Sequence, residues 1–297
     1  MLILASAVDS APQRFEYSEM AMGVRARIVM YAPDEQHALD AARAAFDRIA
    51  CLEQVMSDYR LDSEINRLSP QPVRVSPELY YILRKSQDLS RRSDGAFDIT
   101  VGLLVKLWRT ARKSGKLPEQ SEIDAGRELV GWRKVIIDPK ARTVRLETPG
   151  MQLDLGGIAK GYACEEAVRV LKEHGITSAL VEMGGDIVAS GSPPGKSGWE
   201  IIVGPDSDRR LVLSNLAVSS SGDTEQFVEI GGKRYSHIVD PRTGLGLTDR
   251  IAVTIIAPTG MLSDGLSTAV SVLGEEKGRA LVKQYPRVKA LIRRAAD

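Results

Sequence analysis

From Val24 the chain reads VRARIVMYA, alternating apolar with polar or basic positions. That two-residue period predicts a strand with one buried face. Asp34 then caps a helix whose apolar stripe runs through Ala42, Ala45, Phe46, Ile49, Leu52 and Met56. MSDYRLDSEINRLS follows as a polar loop with short helical character. Ser76 and Pro77 have the residue types of an N-cap and first helical position. Leu79, Ile82, Leu83 and Leu89 supply that helix's buried face, and Ser93-Asp94-Gly95 stops it.

The period changes again at GAFDITVGLLVKLW. Thr110 to Gly131 is charged, contains a Pro-Glu turn signal, and predicts a short surface helix. It falls within a candidate insertion at about residues 105–135. KVIID and TVRLE, separated by Pro-Lys-Ala-Arg, predict paired strands. In LDLGGIAKGYACEEAV, Leu153 to Val168, an apolar run becomes a helical pattern that ends at His174-Gly175. A strand-rich half follows, with hairpin turns at Gly184-Gly185 and Gly231-Gly232. IAVTIIA is a last apolar strand before a capped helix from about Thr259 to Leu273, with Gly274 beyond it. Strands in runs with helices interspersed predict an α+β fold.

At 297 residues the chain suits one body with an inserted subdomain. Its 43% hydrophobic and 27% charged residues are enough for a sizeable core. A formal net charge of +1 argues against nucleic acid as a partner, because neutralising phosphates takes a concentrated basic surface. Cys51 and Cys164 fall in helical patterns without CxxC partners, and are expected to be buried free thiols. The opening MLILASAVDSAP contains Ala5-Ser6-Ala7, similar to a signal cleavage site, but has no positive n-region. Residues 1–20 therefore read as a tail or the remnant of an export signal, and residues 21–297 as the functional domain.

Three stretches carry candidate chemistry. Gly156 and Gly157 let a backbone approach a ligand closely where a helix begins, with Asp154 before them and Lys160 one turn in. That arrangement suits either an anion cradle or a plain strand-to-helix turn, and its spacing matches neither the P-loop nor the dinucleotide fingerprint. In SDGLSTAV, Asp264 and Thr268 lie four apart on one helix face. They offer oxygen ligands of the kind Mg²⁺ takes, or simply a carboxylate near a helix N-terminus. YSHIVDPRTG places His237 before a turn, as a general base or a hydrogen-bonded core residue. His37 and His174, at helix ends, read as structural. Phe97 by itself reads as core, whereas Met22 and Tyr59 stand beside loops, where they suit a planar ligand as well as a core.

Taken in order, MAMG, MSDYRLDSEINRL, DGAFDITVGLLVKLW, LDLGGIAKGYA, LVEMGGDI, SSSGD, YSHIVDPRTG and APTGMLSDGLSTAV resemble the ApbE flavin transferases, the FAD:protein FMN transferases. The likeness runs from about Met22 to Leu273. It implies a T-fold-like arrangement of antiparallel strands and helices, and a Mg²⁺-dependent enzyme that splits FAD. The FMN half would go through a phosphoester to a Thr or Ser of an acceptor electron-transfer protein, releasing AMP. By the same resemblance Met22, Tyr59, Ala96, Phe97, Asp98, Asp154, Lys160 and Val239 line the FAD site. Magnesium is held near Gly157 by Asp264 and Thr268, and His237 is the base for the acceptor hydroxyl. Some relatives carry glutamate at the position of Lys160 and a second carboxylate at that of Ser267. The resemblance places such enzymes outside the inner membrane. The competing readings are an FAD pyrophosphatase, with water as acceptor, and a flavin-binding protein without chemistry.

Overall fold

The computed structural model describes residues 11–203, 209–221, 227–249 and 251–294. In chain order its elements are β1 (Gln13–Ala21), β2 (Val24–Ala32), α1 (Glu35–Met56), β3 (Val73–Arg74), α2 (Pro77–Arg92), α3 (Gly102–Ser114) and α4 (Gln120–Leu129). Next come β4 (Val135–Asp138), β5 (Thr143–Leu146), α5 (Ala159–Glu173), β6 (Ala179–Met183), β7 (Asp186–Ser190), β8 (Trp199–Val203) and β9 (Arg209–Leu213). The last are β10 (Leu216–Ser221), β11 (Phe227–Ile230), β12 (Lys233–Ser236), β13 (Ile251–Ala257), α6 (Gly260–Val282) and β14 (Lys289–Arg294). The architecture is α+β. Seven strands form one sheet in the order β1-β2-β6-β7-β10-β13-β14, and every neighbouring pair is antiparallel.

Local chemistry explains most of these boundaries. Asp34 accepts from the His37 amide at 2.8 Å and Ser76 from the Leu79 amide at 3.2 Å, so both helices begin where a side chain replaces a missing backbone acceptor. The hairpin between β6 and β7 needs left-handed backbone at both central residues, which Gly184 (φ 54°) and Gly185 (φ 91°) supply. His37 Nε2 meets the His174 carbonyl at 2.6 Å, tying the start of α1 to the end of α5 and giving both histidines the structural role expected of them.

α1, α5 and α6 cover one face of the large sheet and make the main core. The hairpin β8–β9 covers part of the other face, where Trp199, Ile201 and Leu213 pack on Val29, Leu180 and Val218. β2 is therefore buried on both sides toward its end, rather than half-buried as its alternation predicts. The hairpin lies some 170 residues downstream, too far for any local pattern to announce it.

Two further expectations change. Residues 13–20, assigned to the tail, belong to β1, an edge strand paired along its whole length with β2, while residues 1–10 lie outside the described residues. Cys51 is exposed on α1, and only Cys164 is buried. The capped helix from Thr259 ends at Leu273 as expected: Gly274 is non-helical (φ 75°, ψ −179°), and a second helical stretch, counted here within α6, runs on to Val282. The short surface helix expected between Thr110 and Gly131 is α4, of which only Ile123 and Gly126 are buried, while α3 begins ahead of it at Gly102 and buries Leu104, Trp108 and Ala111. No helix among the described residues is long and apolar enough to cross a membrane.

Candidate active site

Two helices make the inner corner of the site. α5 and α6 cross so tightly at Gly161 and Gly260 that each backbone fills the space where the other's Cβ would stand. This crossing brings Asp264, one turn into α6, onto the start of α5, where its Oδ2 accepts from the Gly161 amide at 3.0 Å. The turn before α5 lies equally close: a Cβ on Gly157 would come 2.8 Å from Thr268 Oγ1, and that hydroxyl faces the Gly157 carbonyl at 3.5 Å. The glycine turn and the late helix thus share one corner.

Lys160 sits in this corner, with Nζ 2.9 Å from Asp186 Oδ2, 3.8 Å from Asp264 Oδ2 and 3.1 Å from the Gly156 carbonyl. Two buried carboxylates therefore share one ammonium. Burial above all, and then the negative charge of Asp186, push Asp264 up to about 7, against the opposing pull of Lys160. The amides that open toward a ligand are already engaged in part, Gly156 N by Asp154 at 2.6 Å and Gly161 N by Asp264.

Across the cavity, α3 presents Arg109. Its guanidinium pairs with Asp58 through Nη1 and with Asp154 at 2.8 Å through Nη2, and lies 4.0 Å from the centre of the Tyr59 ring. Tyr59 is 71% exposed, so the mouth carries an open aromatic surface backed by a cation. Replacing Arg109 with glutamine would leave Asp58 and Asp154 side by side and largely buried. The variant is expected to lose about 2–3 kcal/mol of stability in urea titration at pH 7. Adding Asp58→Asn is expected to recover part of that loss.

The remaining wall is built by turns. Met22 occupies a left-handed conformation (φ 50°) in the β1–β2 turn, and its amide donates to Glu53 at 3.1 Å. Asp98 spends its carboxylate on Thr100 N, Thr100 Oγ1 and Trp132 N, which fixes the loop bearing Ala96 and Phe97. His237 is half-buried between β12 and the isolated bridge from Val239 to Gly246. The Asp-Pro-Arg-Thr-Gly turn after it is pinned by Trp108 Nε1 donating to the Gly244 carbonyl at 2.9 Å, and by Arg127 Nε donating to the Arg242 carbonyl at 3.1 Å. Both helices of the 105–135 segment thus hold the histidine loop in place.

Met22, Tyr59, Ala96, Phe97, Asp98 and Asp154 line one cavity of about 940 Å³ with Gly157, Lys160, His237, Val239, Asp264 and Thr268. Every residue that the resemblance nominated therefore faces the same space. Of SSSGD, Ser219 and Ser221 join β10 to α6 through Ser263 and Ser267 at 2.8 and 2.6 Å, while Gly222 and Asp223 lie outside the described residues.

A family model described as the ApbE family matches residues 22–292. The chain belongs to the ApbE family. It is 34% identical to the FAD:protein FMN transferase of Treponema pallidum, over 93% of this chain and 84% of that protein. It is 30% identical to one from Klebsiella pneumoniae, over 93% and 88%. Among solved structures, the flavin transferase ApbE from Vibrio cholerae superposes with a TM-score of 0.85 at 29% identity, covering 96% of this chain and 95% of that one. The ApbE protein from Thermotoga maritima gives 0.84 at 31% identity, over 95% and 97%.

Sequence reasoning missed Asp58, Arg109, Arg112 and Asp186, all of which line the cavity. Arg109 falls within the candidate insertion at about 105–135, yet it follows Trp108 on an amphipathic helix, a detectable signal. Asp186 had no local signal, because only the hairpin turn carries it beneath Lys160. Among the described residues no three His, Cys, Asp or Glu side chains gather as a metal cluster. The corner nevertheless suits a hard divalent cation. It offers the Asp264 carboxylate, the Thr268 hydroxyl and the Gly157 carbonyl, and its two carboxylates outnumber its one ammonium. Ser267 does not add a carboxylate: it donates to the Asp264 carbonyl at 2.8 Å.

Proposed function

We propose that this protein transfers FMN from FAD to a hydroxyl of an acceptor protein, releasing AMP. The carrying observation is the shared cavity, which joins the Gly156–Gly157 turn, the Asp264–Thr268 face of α6 and His237. At about 940 Å³ it is large enough for a dinucleotide. The open ring of Tyr59 offers a stacking surface for one of FAD's two heterocycles, and the α5–α6 corner offers positive charge and oxygen ligands for its pyrophosphate.

The acceptor is a Thr or Ser in a short motif of an electron-transfer protein. Its hydroxyl oxygen attacks the phosphorus of the FMN half, a P–O phosphoester forms, and the bond to the AMP phosphate breaks. A hydroxyl at its ordinary pKa is a poor nucleophile, and His237 takes its proton. Asp264, Thr268 and the Gly157 carbonyl would hold Mg²⁺, which supplies Lewis-acid stabilisation of charge on the phosphoryl oxygens. Lys160, fixed by Asp186 and Asp264, adds a positive charge that needs no reorganisation during the reaction. The nearly identical fold of the flavin transferase from Vibrio cholerae supports the reading.

Incubation with FAD, Mg²⁺ and an acceptor carrying the Thr/Ser motif is expected to give a protein heavier by one FMN phosphoester in mass spectrometry. Chelation with EDTA is expected to stop it. Release of FMN and AMP at a rate that the acceptor leaves unchanged, with no mass added, would identify a pyrophosphatase instead.

A further inference from the structure

Arg112 lies three residues after Arg109 on α3, nearly one turn on, and lines the same cavity. The two arginines are differently placed. Arg109 is paired with Asp58 and Asp154, whereas the Nη1 of Arg112 is buried without a hydrogen-bond partner. Burial and then the neighbouring Arg109 charge draw its pKa downward, and the only other influence on it is the Tyr59 ring hydroxyl. A guanidinium nitrogen that is covered, has no acceptor among the described residues and has a like charge beside it is costly in the free protein. Such a cost is retained where a ligand supplies the missing acceptor.

Its surroundings indicate which part of a ligand that is. Tyr59 and Arg112 are electrostatic neighbours, and Tyr59 is backed by Arg109 while most of its surface stays open. Arg112 lines the same cavity as the open Tyr59 ring, so a heterocycle held on that ring shares its space with the guanidinium. On the side of the glycine turn, Asp154 pairs with Arg109 at 2.8 Å and accepts from the Gly156 amide at 2.6 Å, so Arg109 already has its acceptors there.

We propose that Arg112 is a specificity-determining residue. Its guanidinium donates to an acceptor atom, a ring nitrogen or carbonyl oxygen, on the edge of the heterocycle stacked on Tyr59. A guanidinium has donors and no acceptor, so it selects ring edges that accept. Both halves of FAD offer such an edge, the isoalloxazine through its pyrimidine carbonyls and adenine through its ring nitrogens. The inference rests on the reading that FAD occupies the cavity.

The test compares native protein with Arg112→Met and Arg112→Lys, titrated with FAD, riboflavin, adenosine and ADP. FAD is expected to bind Arg112→Met about tenfold or more weakly. The loss should reappear with whichever of riboflavin and adenosine stacks on Tyr59, and be absent for the other. The lysine variant should recover part of it. Because Arg112 Nη1 has no partner to lose, the thermal midpoint of the ligand-free methionine variant is expected to stay the same or rise. Unchanged FAD affinity would overturn the proposal, as would a loss seen with ADP but with neither riboflavin nor adenosine. A lowered midpoint with equal losses for all four ligands would overturn it too, by marking a structural role. Native protein that binds none of the four would overturn the flavin reading itself, and this inference with it.

Discussion

Replacing Asp264 with asparagine is expected to reduce FMN transfer at least about a hundredfold while FAD affinity changes by no more than a few-fold. Asparagine keeps the shape of the side chain, and its amide oxygen still accepts from the Gly161 amide, now 3.0 Å from Asp264 Oδ2. The substitution removes only the negative charge. That charge is expensive to keep, since burial and Asp186 oppose it, so the folded state is expected to tolerate its loss. Initial rates of acceptor mass gain, compared with FAD titrations of the same preparations, separate chemistry from binding. A variant that transfers at the native rate would remove Asp264 from the mechanism and leave it as a cap for α5.

A methyl group at Gly161 is expected to have the second large effect. A Cβ there would stand 2.6 Å from the Gly260 carbonyl carbon and 2.7 Å from Asp264 Cβ, well inside contact distance. Both obstacles belong to the α6 scaffold, so neither can swing aside as the tip of a flexible side chain does. Gly161→Ala is expected to cost about 3 kcal/mol or more in denaturant unfolding, at the upper end of overpacking effects, and to lower transfer by shifting Asp264. Gly126→Ala is the contrasting control. A Cβ there would meet Leu104 Cδ2 at 2.6 Å, the end of a flexible side chain and not backbone. Equal stability losses in the two variants would refute the argument that backbone contact at the α5–α6 crossing sets the corner.

Much of the fold was legible because its signals are local. Asp34 and Ser76 cap the helices they were expected to cap, and the paired glycines mark the β6–β7 and β11–β12 turns. The site was legible through ordered motifs, whose nominated site residues all line one cavity. What escaped depends on distant partners. β2 alternates as a half-buried strand should, yet the β8–β9 hairpin covers its second face. Residues 13–20 were grouped with a tail read from the opening MLILASAVDSAP, although Phe15 and Tyr17 alternate toward the core. Cys51 followed a helical pattern but faces outward, since the apolar stripe of α1 passes on either side of it at Ile49 and Leu52. Arg109 and Asp186 matter only because α3 folds against the loop of Tyr59 and a hairpin delivers Asp186 to Lys160.

The first strand also bears on how the molecule meets its own kind. Arg14, Glu16, Arg27 and Glu182 run across β1, β2 and β6 as a row of alternating sign, with contacts of 2.5, 3.3 and 3.0 Å. A foreign strand that tried to lengthen the sheet at this margin would have to crowd or dehydrate that row before gaining any backbone pairing. The border is thereby guarded against fibrous stacking, and the inner end of the guard, Glu182, reaches the wall of the cavity.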